Sequence, residues 1–201
     1  MGLASRGDMT IGLRERKKAR TRAAIQAEAM RLFRDQGYQA TTVEQIAEAA
    51  EVSPSTFFRY FPTKEDVVLW DDFDPVIVEA FRERPESETP ITAMRAAFET
   101  AFERISPDDL ARVRERTRLT MAVPELRAAS LEQFSGTVEL LASIVGERVG
   151  KPANDLSVLA LAGAVVGVAM SVMLAATGDP DADMVALLDQ AMRLLEEGLP
   201  V

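Results

Sequence analysis

The sequence predicts an all-α protein in two parts, a small N-terminal domain of short helices and a larger C-terminal helical domain. Apolar residues recur at spacings of three and four, which is typical of amphipathic helices, and the alternation typical of strands is nearly absent. Serine or threonine repeatedly stands where a helix would begin, followed by proline or by a polar residue three positions later. The chain has 201 residues, enough for one large domain or two small ones.

The first helix is predicted over about residues 14–36. Its apolar side chains share one face, as helical spacing requires, and are Ile25, Ala29, Leu32 and Phe33. Gly37 follows at the position where a left-handed residue commonly ends a helix. We therefore expect this helix to end at Gln36.

Three more helix starts follow closely along the chain. Thr42 has Gln45 three positions later, which is the pattern of a capping box. Ser53 precedes Pro54, which suits the first helical position because proline lacks the N–H group that would be unpaired there. Thr63 opens the next helix in the same way. Short helices joined by tight turns are therefore expected here.

The fourth helix is expected to run from Lys64 to about Phe81 and to be the only continuous element joining the two domains. It carries the single tryptophan, Trp70. Beyond it, proline, glycine and capping residues divide the chain into further helices. The breaks are at Pro90, Ser106, Pro124, Gly150 with Pro152, and Gly178 with Pro180.

The composition argues against several classes of enzyme. The chain contains no cysteine and no histidine, so it lacks a thiolate nucleophile, the commonest general base and the usual ligands of a zinc site. Carboxylates, lysine, serine and tyrosine remain as catalytic groups, and a helical enzyme stays open as the weaker alternative. We expect a protein that is not an enzyme and that carries no metal and no cofactor.

Charge is distributed unevenly along the chain. Residues 1–34 carry a net charge of +6, from nine basic and three acidic residues, whereas residues 67–201 carry −11, from 12 basic and 23 acidic residues. A basic N-terminal segment in an otherwise acidic chain indicates that this segment alone binds a polyanion. A solvated basic tail is the alternative.

The stretch 156–178 is uncharged and includes Gly163 and Gly167. Its length would suffice for a membrane span, and a membrane or scaffold protein is therefore a further alternative. The aromatic belt and basic flank of a spanning helix are missing, however, and acidic residues follow the stretch. We expect a helix buried in a core or between subunits. No secretory signal is evident, so a cytoplasmic location is expected.

The segment "SPSTFFRYFPTKED" lies on the third helix and the start of the fourth. Two short helices joined by a tight link are typical of a helix-turn-helix, whose second helix enters the major groove of DNA. Phe57 and Phe61 are four residues apart and are expected to bury this helix against the preceding one. The opposite face presents Ser55, Thr56, Phe58, Arg59 and Tyr60. Arg59 could pair with guanine, although a merely solvated face would have the same spacing.

Residues from about Thr21 to Val68 resemble the DNA-binding domain of the TetR family of transcriptional regulators. The resemblance rests on "AEAMRLFRDQGYQATTVEQIAEAAEVSPSTFFRYFPTKEDVV". It implies groove-facing positions at Ser53, Ser55, Thr56 and Arg59, and phosphate contacts at Thr42, Tyr60 and Lys64. Two residues depart from the family pattern. Ser55 stands where glycine is common, and Phe58 stands where tyrosine is common, so Phe58 is expected to press on a thymine methyl group.

The resemblance also divides the chain by role. Residues 1–20 would form a basic arm, 21–66 the helix-turn-helix DNA-binding domain, and 67–201 a helical effector-binding and dimerisation domain. Arms of this kind often add DNA contacts, for which Arg20 and Arg22 are the candidates. The alternative for the arm is a helical extension with solvated charges.

In the second domain, candidates for an effector pocket are Trp70, Phe98, Phe102, Met121, Phe134 and Met170. Plain core packing is the alternative for each of them. The last two long helices match in position the pair that forms the subunit interface in family members. The candidates for that interface are Leu161, Val165, Val168, Val172, Leu188 and Met192. Burial within one subunit is the alternative.

The sequence therefore predicts a transcriptional regulator of the TetR type. The resemblance implies a repressor that binds a palindromic operator in double-stranded DNA as a homodimer. It also implies release by a small apolar or amphipathic effector, for which an acyl-type molecule is one candidate. An effector in the second domain is expected to move the fourth helix.

Overall fold

The computed structural model describes residues 6–70, 73–176, 179 and 182–200. Over these ranges the chain consists of helices and connecting turns, without strands, so the all-α fold is confirmed. The chain forms two compact units, the first ending at Trp70 and the second following it. The first unit contains α1 (Arg6–Gln36), α2 (Val43–Ala49), α3 (Pro54–Tyr60) and α4 (Lys64–Leu69). The second contains α5 (Phe73–Arg82), α6 (Pro90–Glu103), α7 (Pro107–Ala122), α8 (Pro124–Val149), α9 (Leu156–Ala176) and α10 (Met184–Glu196).

The predicted helix starts in the first unit are confirmed. The hydroxyl of Thr42 accepts a hydrogen bond from the N–H of Gln45, and the Gln45 side chain accepts one in return from the N–H of Thr42. Ser53 caps α3 with Pro54 at its first turn, and Thr63 caps α4. Each hydroxyl pairs an N–H group that the helix itself leaves without a partner.

The first unit is built around α1, which packs against α2 and α4, while α3 packs against α2. Its core side chains are fully buried and include Ile25, Ile46, Phe57, Phe61 and Val67. Helices as short as α3, which has seven residues, are unstable in isolation. Their stability therefore comes from this shared core.

Residues 6–20 of the predicted N-terminal arm are part of α1. The helix begins at Arg6, earlier than the sequence indicated, and has 31 residues. The basic residues on this extension are exposed and comprise Arg14, Arg16, Lys17, Lys18 and Arg20.

The fourth helix does not continue to Phe81, and that prediction was wrong. It ends at Leu69, because Trp70 adopts an extended backbone with ψ of 130°. A new helix, α5, begins at Phe73. The carbonyls of Val67 and Trp70, at the end of α4, accept hydrogen bonds from the side chain of Gln26 on α1. The helix can therefore end there without leaving these carbonyls unpaired.

The second unit is a bundle of α5–α10. The helix pairs that pack most extensively are α5 with α6, α8 with α9, and α9 with α10. Proline or glycine stands at the boundaries as predicted: Pro124 opens α8, and Gly150 ends it in a left-handed conformation with φ of 66°. The predicted break at Gly178 and Pro180 lies outside the described residues.

The side chains predicted to form a subunit interface lie in the core of the second unit. Val165, Val168, Val172, Leu188 and Met192 are buried there, and Leu161 packs against them. They are buried because the apolar residues of α9 and α10 at these positions face α8, α6 and each other. Five of these side chains are thus buried within one chain and Leu161 is half-buried, and their assignment to a subunit interface stays a prediction.

The outward face of α9 is a different set of residues. A stripe at helical spacing runs along it through Leu156, Ala160, Gly163, Gly167, Ser171 and Leu174. Leu156 is 81% exposed and Leu174 is 63% exposed. By length and composition α9 could cross a membrane, but its inner face packs on α8 and α10. We name the six residues the α9 stripe.

The end of α8 offers a test of this packing. A Cβ atom at Gly146 would lie 2.6 Å from the backbone oxygen of Lys151, whereas one at Gly136 on the same helix would meet nothing within 4 Å. Gly146→Ala should lower the free energy of unfolding by about 1–3 kcal/mol through this clash. Gly136→Ala should be neutral or raise it by up to about 1 kcal/mol, because alanine favours helix. Urea unfolding followed by circular dichroism measures both, and equal stability of the two variants would contradict the packing described.

Candidate nucleic-acid interface and cavities

Helix α3 has one buried face and one exposed face. Phe57 and Phe61 are 0% exposed, whereas Phe58 is 50% exposed although it stands between them in sequence. Arg59 and Ser55 are also exposed, and their positions place them on the same side of the helix as Phe58. The unit therefore presents a serine, an aromatic ring and a guanidinium on a helix fixed from behind by two rings.

Three hydroxyl groups cluster at the start of α3. The Oγ of Ser53 lies 2.9 Å from the Oγ of Ser55 and 2.9 Å from the Oγ1 of Thr56. The same Ser53 atom accepts a hydrogen bond of 3.1 Å from the N–H of Thr56. Small polar side chains at a helix N-terminus leave the backbone open to close approach by phosphate oxygens.

Three other residues predicted to contact DNA are at least partly accessible. Thr42, at the start of α2, is exposed, and its hydroxyl is engaged in its own helix cap. Tyr60 is half-buried, with the guanidinium of Arg59 5.4 Å from its ring centre. Arg20 is exposed on α1.

Lys64 has a structural role that the sequence did not indicate. Its Nζ atom donates hydrogen bonds of 3.0 Å to the carbonyl of Tyr38 and 3.1 Å to the carbonyl of Thr41. The ammonium also lies 4.0 Å from the centre of the Tyr38 ring. Lys64 therefore fastens the start of α4 to the turn between α1 and α2.

The neighbouring Glu65 completes this fastening. It accepts a hydrogen bond of 2.8 Å from the hydroxyl of Tyr38. Burial raises the pKa of the Glu65 carboxyl, but hydrogen bonds from its own backbone, Tyr38 and Thr63 and the charge of Lys64 lower it, and the pKa ends below its usual value. The carboxylate is therefore charged at neutral pH and holds the Tyr38 ring in place.

A second fastening joins α1 to the end of α4. The guanidinium carbon of Arg22 lies 3.9 Å from the centre of the Trp70 ring, in cation–π geometry. The Nε2 of Gln26 donates hydrogen bonds of 2.8 Å to the carbonyl of Val67 and 2.9 Å to that of Trp70. These carbonyls are the ones that a helix end leaves unpaired. Sequence analysis missed Gln26, because a glutamine on a long helix gives no signal of a distant partner.

Two neighbouring cavities lie among the described residues of the second unit. The inner cavity has about 430 Å³ of empty space, part of it open to solvent, and lies between α5, α6, α8 and α9. Its walls are largely apolar and comprise Asp74, Ile77, Val78, Phe98, Thr137, Leu140, Leu141, Val165, Val166 and Ala169. The outer cleft has about 850 Å³, part of it open to solvent, between α6 and α10. Its walls comprise Arg95, Phe98, Glu99, Phe102, Glu103, Asp183, Val185, Ala186, Leu188, Asp189 and Met192.

The predicted pocket residues divide between these cavities and the core. Phe98 lines both cavities and Phe102 lines the outer cleft. Phe134 and Met170 pack against the core, and Met121 is half-buried; none of the three lines either cavity. Trp70 lies in the first unit, where the guanidinium carbon of Arg22 is 3.9 Å from the centre of its ring, and its assignment to an effector pocket stays a prediction.

A capped helix-turn-helix with an exposed second helix, followed by a helical unit with cavities, defines the class of helix-turn-helix transcriptional regulators. The model for bacterial regulatory proteins of the tetR family matches residues 25–69, and the MftR C-terminal domain model matches residues 88–200. The chain belongs to the TetR family of transcriptional regulators.

Individual relatives agree with this assignment. The chain is 40% identical over 151 residues to the HTH-type transcriptional regulator TcmR of Streptomyces glaucescens, covering 72% of this chain and 67% of TcmR. It is 30% identical over 159 residues to the putative mycofactocin biosynthesis transcriptional regulator MftR of Mycobacterium tuberculosis, covering 78% and 79%. Among solved structures it resembles the Thermus thermophilus repressor FadR in complex with lauroyl-CoA, with 28% identity, a TM-score of 0.56, and coverage of 90% and 95%.

The fastening by Lys64 is open to a direct test. Lys64→Met should lower the free energy of unfolding by about 1–3 kcal/mol, because two carbonyls lose a charged donor. Lys18→Met removes an exposed lysine of the arm and should leave stability unchanged. Denaturant unfolding followed by circular dichroism compares the two variants. Unchanged stability of Lys64→Met would show that its hydrogen bonds contribute nothing and would leave a contact with DNA phosphate as its remaining role.

Proposed function

We propose that this chain is a cytoplasmic repressor that binds a palindromic operator as a homodimer and is released by a small effector with an apolar body. The observation that carries the proposal is the two-faced helix α3. Phe57 and Phe61 fix it from behind, and Ser55, Phe58 and Arg59 point away from the unit. A rigidly held helix with a polar and aromatic outer face has the geometry needed to enter a major groove.

The exposed side chains of α3 divide into base readers and phosphate contacts. Arg59 reaches a guanine, which it recognises through two hydrogen bonds, and Phe58 lies against a thymine methyl group. Ser53, Ser55 and Thr56 approach the groove, while Thr42 and Tyr60 contact phosphates and set the register. Arg20 adds a backbone contact from the extension of α1.

Arg22 and Lys64 have a different role in this proposal. Their cationic groups are engaged with Trp70 and with two backbone carbonyls. They position α4 against α1 and α2, and thereby hold the helix-turn-helix in the shape that fits DNA. Any contact they make with phosphate is secondary to this.

The α9 stripe supports the homodimer. It is an uncharged, exposed face on a helix whose other side is already in the core, and exposed apolar patches of this kind mark contact surfaces. Gly163 and Gly167 have open space where a side chain would stand, so a second helix can approach the backbone closely. A two-fold dimer formed here would present two copies of α3 to the two halves of a palindrome.

The inner cavity supports an effector with an apolar body. Its walls offer aliphatic and aromatic surface with one carboxylate and one hydroxyl, which suits an alkyl, acyl or aromatic group. The likeness to FadR with lauroyl-CoA makes an acyl chain a reasonable model for that part of the molecule. Binding there releases DNA only if the effector prefers the arrangement that does not fit the operator.

The first test is binding to duplex DNA from the region upstream of the chain's own gene. Within that operator, Arg59→Ala should cost about 1–3 kcal/mol and relax the preference at one base pair, with little loss on random DNA. Arg31→Ala is the matched control, because Arg31 lies on α1 and is engaged with Glu28 and Asp35. Equal loss on operator and random DNA would make Arg59 a phosphate contact, and no binding to any duplex would refute the function itself.

The homodimer is tested at the α9 stripe. Gly163→Glu places a charge on the exposed face without a clash inside the subunit, so the variant should fold and become monomeric. Its operator affinity should fall by at least about tenfold, because a monomer engages only one half-site. Gly136→Glu adds the same charge on α8 and should remain dimeric. Light scattering after size exclusion gives the masses, and a dimeric Gly163→Glu would remove α9 from the interface.

A further inference from the structure

The two cavities of the second unit share one wall. Phe98 lines both, with the apolar inner cavity on one side and the outer cleft on the other. Phe102 stands one helical turn further along α6 and faces the cleft. A molecule that occupied both cavities would pass Phe98, and the chemistry of the cleft would then determine what its polar end can be.

The cleft is acidic. Its walls carry four carboxylates, from Glu99, Glu103, Asp183 and Asp189, and one cation, from Arg95. Some of these charged groups are already paired with other side chains. Arg95 is held by Asp189 at 3.4 Å and by Glu196 at 3.0 Å.

Two of the four acids, Asp189 and Asp183, have partners within the second unit. Asp189 is bound again by Arg193 at 2.9 Å. Asp183 caps α10 by accepting hydrogen bonds from the N–H groups of Val185 and Ala186. Both carboxylates therefore serve the packing of α10.

Glu99 and Glu103 are the two acids left over. Within the part of the chain that the structure describes, neither forms an ion pair; Arg84 senses the charge of Glu99, but its guanidinium is bound to Glu88. They are one turn apart on α6, where like charges repel. Glu103 is also the last residue of α6 and is followed by Arg104, the exposed C-cap residue of the helix. Glu99 and Glu103 are therefore the two acids of the cleft wall that the described ion pairs and the cap of α10 leave unpaired.

We propose that the effector is an amphipathic organic cation. Its apolar chain occupies the inner cavity, and its ammonium head lies in the cleft between Glu99 and Glu103, against the rings of Phe98 and Phe102, which attract cations through their faces. The inference rests on the proposed function, because it specifies the charge of that effector. A cationic effector would distinguish this chain from regulators that bind acyl-CoA, because the carboxylates of the cleft would repel the phosphates of CoA.

The test uses the full chain and three probes with the same alkyl tail below their micelle concentrations: dodecyltrimethylammonium, dodecanol and dodecanoate. Calorimetry should give the cation an affinity at least about tenfold above that of dodecanoate, with dodecanol between them. Hexyltrimethylammonium should bind far more weakly than the dodecyl cation, because each buried CH₂ contributes roughly a fourfold factor. Tighter binding of dodecanoate or lauroyl-CoA would overturn the proposal.

Variants locate the head group. Glu99→Gln with Glu103→Gln should weaken the dodecyl cation by about tenfold and leave dodecanol unchanged. The matched control is Glu132→Gln with Glu139→Gln, two exposed acids of α8 outside the cleft, which should bind all probes as the natural sequence does. Undiminished binding of the cation to the Glu99 and Glu103 variant would refute the site.

Operator binding, measured separately, distinguishes failure of this inference from failure of the proposed function. Release of operator by dodecanoate alone would overturn the cation and preserve the repressor. A chain that binds no DNA but prefers the cation through Glu99 and Glu103 would preserve the site and remove the repressor.

Discussion

The burial of Phe57 and Phe61 is the contact on which the helix-turn-helix depends. Helix α3 has only seven residues and gains little from its own hydrogen bonds. Two fully buried rings on one face supply the apolar area that holds it against α2. Because the rings are four residues apart, they also fix the rotation of the helix, and that rotation determines which side chains face outward.

Long basic side chains in this protein donate hydrogen bonds to backbone carbonyls, which are more often paired with water or with backbone N–H groups. Lys64 pairs two carbonyls of the α1–α2 turn. In the second unit, Arg148 donates to the carbonyls of Arg84 and Glu88 at 3.3 and 3.2 Å and lies against the ring of Phe81. In each case a long basic side chain of one helix closes a turn between two others. A basic residue in a helix-turn-helix unit, such as Lys64, can thus be engaged in the packing of its own turns.

Local signals predicted the helix-turn-helix well, because its boundaries are set by neighbouring residues. Thr42 with Gln45, Ser53 with Pro54, and Gly37 each act within three or four positions of the helix end they define. The extended backbone at Trp70 was missed because its cause is distant: Gln26, some forty residues earlier, pairs the carbonyls that a continuing helix would have used. The orientation of α9 was missed because the helix is apolar on every side, so its sequence alone does not tell which side is buried.

The glycines of the α9 stripe have a consequence for how this protein tolerates change. Within the described part of the chain, nothing lies within 4 Å of a Cβ atom placed at Gly163 or Gly167, and replacing a glycine inside a helix ordinarily improves folding. A screen that scores only thermal stability or expression would therefore pass substitutions there as harmless or beneficial. Any selection against them would have to come from outside the single chain, so variation at these two positions would record what a partner molecule requires of α9 separately from what folding requires.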